Sequence, residues 1–150
     1  MLATKRAPRS PSLTCGGIIT SMIKPRGKIV IEPGTNVWEH ELRTAEALAA
    51  AGYTVMFVKK SEVDYEKTAD TLINGIRWEF KSPTADNLKT VERNLKRARW
   101  QSGNIVFDCR RMRKLPDHAI EREVRKQAHA IPHIAKLLYV NKQGEIIDIK

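Results

Sequence analysis

An α/β domain with a mixed sheet is what this sequence predicts, and three observations carry the expectation. Asn74-Gly75 stands between two β-forming runs. Asn-Gly in that setting is the strongest short-range hairpin signal, because a type I′ turn needs φ > 0 at both central residues. Two further apolar runs, YTVMFV over 53–58 and NIVFDC over 104–109, have the continuity of buried strands. Segments with helical spacing alternate with them, which gives the order βαβββαβαββ.

The elements follow in chain order. Residues 1–27 carry Lys5, Arg6, Arg9, Lys24 and Arg26 without an acid, broken by prolines, serines and glycines. They read as a basic flexible arm. The domain proper is expected over 28–150. KIVIE (28–32) reads as a short strand stopped by Pro33-Gly34. Asn36 suits a helix N-cap, with Glu39 three residues on completing a capping-box pattern. Trp38, Leu42, Ala45, Leu48 and Ala49 then recur at helical spacing as an inner stripe, and Gly52 supplies the stop. Glu41 falls at the margin of that stripe, placed either to reach over the sheet or to sit in water.

After the apolar run 53–58, residues 59–67 form a polar loop. The hairpin follows and ends at Ser82-Pro83. Asp86 is placed to cap a helix through Trp100, with Leu88, Val91, Leu95 and Ala98 inward and Lys89, Arg93, Lys96 and Arg97 on another face. Strand, helix and strand of these lengths fit one crossover, so the strand before Ser82 and the run 104–109 should be parallel. A basic cluster at 110–114 leaves that strand. Asp117 caps a helix to about Ala130, with Ile120 and Val124 inward. A last hairpin pairs 136–140 with 145–149 around Asn141-Lys142-Gln143-Gly144.

Composition narrows the function. A chain of 150 residues is one domain with room for a core. The formal charge of +10 points to a polyanionic partner, nucleic acid or an anionic membrane surface. No apolar run approaches the ~20 residues of a membrane span. The basic N-terminus lacks a continuous apolar h-region, so a signal peptide is not expected. Cys15 and Cys109 form no CxxC motif, which suggests neither a disulfide framework nor a zinc site, so a reducing compartment, the cytoplasm, is the expected site of action.

The hairpin concentrates the chemistry. Its turn sets Ile73 opposite Ile76, Leu72 opposite Arg77, Thr71 opposite Trp78 and Asp70 opposite Glu79. Two carboxylates facing each other repel. Lys81 leaves the same face as Glu79. A divalent cation would convert the repulsion into ligation, and hard oxygen ligands suit Mg²⁺ (or Mn²⁺). Such an ion polarises a phosphate and acidifies a bound water, while the ammonium stabilises the developing charge. As a bare pattern D-x8-E-x-K is common; the hairpin, the preceding helix with Glu41 and the following crossover with its basic helix make it more specific.

Glu41 with Ala45, Leu48 and Gly52, then TAD, then WEFKSP, resembles the PD-(D/E)XK nuclease core. The longer strings TAD-LINGIRWEFKSP, ERNLKRARWQS, NIVFDCRRM and the closing IIDI resemble the C-terminal tRNA nuclease domain of CdiA-type contact-dependent growth inhibition toxins, from about Lys28 to Lys150. The resemblance implies a metal-dependent endonuclease acting on RNA, with tRNA as substrate. It assigns Asp70 and Glu79 as metal ligands, Lys81 as the catalytic lysine, Glu41 as the helix glutamate and Gln101 as the polar residue after the second core helix. Ala69 replaces the proline of the PD pair. An acidic immunity protein is the protein partner such a toxin implies.

The residue chemistry alone leaves RNA and DNA open, and a DNA endonuclease of a mobile element or a non-catalytic nucleic-acid-binding module would use the same surface. Lys89, Arg93, Lys96, Arg97, Arg110, Arg111, Arg113 and Lys114 are the expected phosphate track. Trp78 and Trp100 have faces on which bases stack, though apolar neighbours favour core positions. His129 and His133 are four apart, but Pro132 lies between them, and no role is assigned to any histidine.

Overall fold

The computed structural model describes residues 25–60 and 69–150. Nearly all of the basic arm, and residues 61–67 of the polar loop, lie outside the described residues. Within them the predicted order βαβββαβαββ is observed. It comprises β1 (Ile29–Ile31), α1 (Glu39–Ala50), β2 (Val55–Val58), β3 (Asp70–Ile73), β4 (Ile76–Lys81), α2 (Lys89–Ala98), β5 (Asn104–Asp108), α3 (Asp117–Ala130), β6 (Lys136–Val140) and β7 (Ile146–Asp148).

The strands form one mixed sheet in sequential order, β1 to β7. β1 and β2 are parallel, β2–β3 and β3–β4 antiparallel, β4–β5 and β5–β6 parallel, and β6–β7 antiparallel. The parallel pairs are those joined through helices, as crossover geometry requires. The β3–β4 register is the one the turn dictates: Thr71↔Trp78, Leu72↔Arg77, Ile73↔Ile76. Asn74 and Gly75 have φ of 50° and 84°, the left-handed values of the expected turn.

Alternation along the strands sorts side chains to two faces. Ile105, Phe107, Leu137 and Tyr139 pack with Val91, Leu95, Ile120 and Val124 under α2 and α3. Val106, Leu138 and Val140 pack with Val55, Phe57, Trp78 and Leu48 on the α1 side. Trp78 is therefore core, while Trp100 is exposed. Cys109 is free and buried, and burial pushes its thiol up to about 11, an unreactive state at neutral pH. No helix among the described residues is long and apolar enough to cross a membrane.

Several local expectations are corrected. α1 begins at Glu39, not after Asn36; its N-cap is Trp38, whose N–H donates to Glu41 Oε1 at 3.1 Å. Trp38, expected on the inner stripe, is 58% exposed: it stands before the first helical turn instead of within it. Met56 points outward from β2, so that run alternates instead of being buried throughout. Asp86 does not cap α2. The Asn87 carboxamide oxygen accepts the Lys89 N–H at 2.8 Å, and Asp86 accepts the Lys114 N–H at 2.9 Å. Asp117 is the first residue of α3 instead of its cap; it accepts from the Tyr139 hydroxyl at 2.6 Å and the Lys142 N–H at 3.0 Å, which ties α3 to the β6–β7 turn.

Candidate active site

The charged side of the hairpin is a row of alternating sign. Arg77 lies 3.2 Å from Asp70 and 3.9 Å from Glu79, and Lys81 lies 3.3 Å from Glu79. Register explains it. With Leu72 opposite Arg77, Arg77 is the diagonal neighbour of Asp70, and Glu79 and Lys81 follow on the same side of β4. The ladder ends at Thr71, and Asp70 pairs on its other side with Val58. Sequence reasoning expected Asp70 and Glu79 to oppose each other without a cation between them. Arg77 is that cation, and its place could have been found by counting the diagonal as well as the direct partner.

Arg77 is itself held. Its guanidinium donates to the Gln101 carbonyl, and its own carbonyl accepts from Ser102 Oγ at 3.1 Å and Asn104 Nδ2 at 3.3 Å. These bonds fasten the segment after α2 to β4. They also bring in the Gln101 side chain; with its amide assigned by the acceptors around it, the nitrogen faces Glu79 and donates to both carboxylate oxygens at 2.9 and 2.6 Å. Gln101, expected on the nucleic-acid track, thus holds a carboxylate of the site.

Glu41, Glu79, Lys81 and Gln101 line one cleft, together with Trp38, His40 and Lys60. α1 supplies Glu41, β4 supplies Glu79 and Lys81, and the end of α2 supplies Gln101. Burial is the main cause that lifts the Glu41 carboxyl above its ordinary range. The Trp38 N–H opposes this, the Glu79 charge adds to it, and Lys60 opposes it. Glu41 and Glu79 thus bring two carboxylates to one cleft, close enough for one charge to act on the other. Asp70 shares the row with Arg77 but does not line the cleft.

The donor set is all carboxylate. No group of three or more His, Cys, Asp or Glu side chains able to hold a metal forms among the described residues.

The basic residues divide into two sets. Lys89, Arg93, Lys96 and Arg97 are exposed on α2, with Lys96 paired to Glu92, and none of them lines the Glu79 cleft. Arg110, Arg111 and Arg113 line a second cleft beside the first, and Trp38 and His40 belong to both. A feature the sequence reading missed organises this second cleft. Asp108 is 3% exposed at the end of β5, accepts from Thr44 Oγ at 2.7 Å and is paired by Arg110 at 2.8 Å. An acid closing an otherwise apolar run was the available signal, since a buried carboxylate requires partners. The Arg110 guanidinium also donates to the Arg43 carbonyl at 3.0 Å, so it locks β5 to α1.

The chain matches the sequence profile of the contact-dependent growth inhibition CdiA C-terminal domain over residues 67–146. It belongs to the CdiA C-terminal domain family. No curated protein sequence matches it. Among solved structures, a CdiA-CT/CdiI toxin and immunity complex from Burkholderia pseudomallei is similar. The likeness covers 83% of this chain and 99% of that one, with a TM-score of 0.58 at 21% identity, which is a likeness of fold. The segment that matches the CdiA C-terminal domain carries Asp70, Glu79, Lys81, Gln101 and the arginines after β5. Glu41 lies before it and reaches the same cleft through the fold.

Proposed function

We propose that this CdiA C-terminal domain is a toxin that acts as a metal-dependent endonuclease, hydrolysing phosphodiester bonds in RNA with tRNA as its substrate. The observation that carries the reading is the convergence of Glu41, Glu79, Lys81 and Gln101 in one cleft, with Lys81 3.3 Å from Glu79. A PD-(D/E)XK reading is supported by Asp70 and Glu79 on adjacent strands and by Lys81 two residues beyond Glu79. The choice of RNA rests on the resemblance of the hairpin and the strings that follow it.

In this reading Glu79, with Asp70 or Glu41, would hold Mg²⁺ or Mn²⁺. A divalent cation supplies Lewis-acid polarisation of the phosphate and a more acidic water. The other roles belong to the chain. Gln101 fixes the Glu79 rotamer through both oxygens. Lys81 sets an ammonium beside the carboxylate, placed to stabilise negative charge as it develops on the phosphate. Glu41, with its carboxyl above the ordinary range, is suited to take a proton from the attacking water. The exposed cations of α2 and the arginines after β5 draw the polyanion to the cleft.

The B. pseudomallei toxin is in complex with an immunity protein. We extend that arrangement to this chain: an acidic immunity partner covers the basic face, and the unneutralised domain acts in the cytoplasm of the cell it enters. The deciding experiment is incubation with total tRNA, single-stranded RNA and duplex DNA, each in Mg²⁺ or EDTA. The expected result is Mg²⁺-dependent cleavage of tRNA. Cleavage of duplex DNA alone would replace the reading by a DNA endonuclease, and binding without cleavage by a nucleic-acid-binding module.

A further inference from the structure

Two rings on the ridge between the clefts have no part in the chemistry above. Trp38 and His40 lie near parallel, with centroids 6.4 Å apart and planes at 16°. Trp38 is exposed, although a large aromatic side chain in a domain of this size ordinarily covers apolar surface. Both rings line the Glu79–Lys81 cleft on one side and a basic cleft of about 470 Å³ on the other. That volume is within the range of pockets that hold small ligands.

The basic cleft is built at three points. Asp108 and Arg110 are consumed by their buried pairing and form its floor. Arg111 donates to the Ser82 carbonyl at 3.1 Å, so it stands one residue beyond Lys81. Arg113 also lines the cleft. His40 lines this cleft too, and its ring and the Trp38 indole present two nearly parallel flat faces on the ridge.

We infer that this ridge and cleft form a nucleotide subsite, in which one unstacked base of single-stranded nucleic acid lies on Trp38 and His40 while Arg111 and Arg113 take the adjacent phosphates. The ligand class is a single-stranded or looped segment. A base inside an A-form duplex is stacked on its neighbours and cannot reach the rings. The strand then runs from Lys81 past Arg111 to Arg113, which places the held nucleotide next to the bond at Lys81. The inference rests on the reading that the protein binds nucleic acid, and adds which part of the substrate it holds.

The test is equilibrium binding in EDTA, where no cleavage interferes. The probes are a fluorescent RNA hexamer, the same sequence as a duplex, and poly-L-glutamate. Trp38→Ala and His40→Ala should weaken hexamer binding, Trp38→Ala by about tenfold, a stacking loss of ordinary size. Trp38→Phe should restore most of it, and duplex binding should change less than twofold. Arg111→Ala and Arg113→Ala should lower the salt dependence of hexamer binding, each by about 0.7 in the log–log slope. The Trp38 side chain is exposed and only its backbone N–H caps α1, so the Ala variant should fold; its far-UV circular dichroism checks this. Unchanged hexamer affinity in Trp38→Ala, or no hexamer binding by the parent, overturns the inference. An equal loss for poly-L-glutamate overturns it in favour of an acidic protein surface. If the parent cleaves nothing in Mg²⁺ but Trp38→Ala still loses the hexamer, the subsite stands and the nuclease reading falls.

Discussion

β5 and the β3–β4 hairpin are neighbours in one sheet and opposite in kind. Ile105, Val106 and Phe107 of β5 are fully buried, with helices on both faces. The hairpin buries Thr71, Ile73 and Trp78 on one side and spends the other on Asp70, Arg77, Glu79 and Lys81. The first strand is fixed by volume and the second by charge. A cleft that must hold polar groups to fixed positions needs a backbone that does not shift, and β4 gets this from β5, to which it is paired through Glu79↔Ile105 and Lys81↔Phe107.

The contrast breaks most sharply at Phe107. Phe107→Ala should cost about 3–5 kcal/mol of stability, from lost burial and the cavity left behind. Urea unfolding measures it. A loss below ~1 kcal/mol would mean that β5 is not the rigid member of the pair. Next in size are Glu79→Gln and Lys81→Ala. Each should lower the tRNA cleavage rate by on the order of 10²-fold or more. Their effect on stability should stay near ~1 kcal/mol or less, since no core cavity opens. Parent-like cleavage by both variants would move the site away from the hairpin.

The same contrast explains what could be read in the sequence. The apolar half was legible because periodicity and volume are local: the inner stripes of α2 and α3, the runs 104–108 and 136–140 and the parallel pairing all followed. The hairpin register was legible because Asn74-Gly75 permits one turn. Arg77 was not, because its partners are set by the diagonal across the ladder, which single-strand alternation does not display. Nor was the exposure of Trp38. An apolar residue at helical spacing signals burial only where a second element covers it, and nothing in the spacing announces that the helix starts there. The spacing puts Glu41 at the margin of the inner stripe and leaves two readings open, because the cleft it lines with Glu79 is formed by elements distant in the chain.

Arg77 sharpens the comparison, because it balances the two acids of the charged row. Arg77→Ala should destabilise the domain in EDTA by about 1.5–3 kcal/mol, the range for losing hydrogen bonds to charged groups. If the row is a metal site, Mg²⁺ should restore much of that loss by binding the folded state alone. The melting temperature of the variant should then respond to millimolar Mg²⁺ more than that of the parent. An equal response in both proteins would separate Arg77 from the ligands.

The smallest expected effect belongs to Glu41, and its sign is fixed by the direction of its shift. Burial first, with the Glu79 charge added, raises its carboxyl above the ordinary glutamate value in the folded state. The folded protein therefore holds this proton at pH values where the unfolded chain has released it. The resulting stability is fully present below the unfolded glutamate value and is lost as pH rises through the folded one. Glu41→Gln removes the titration but keeps an oxygen to accept the Trp38 N–H. In EDTA, parent and variant should melt together in acid, and the parent should fall below the variant as pH rises toward neutral. Excess Mg²⁺ at neutral pH should close that gap, because the cation stabilises the ionised carboxylate of the parent and gains less from the amide. A gap that does not change with pH would show Glu41 to be a solvated helix acid, and the cleft would lose its second carboxylate.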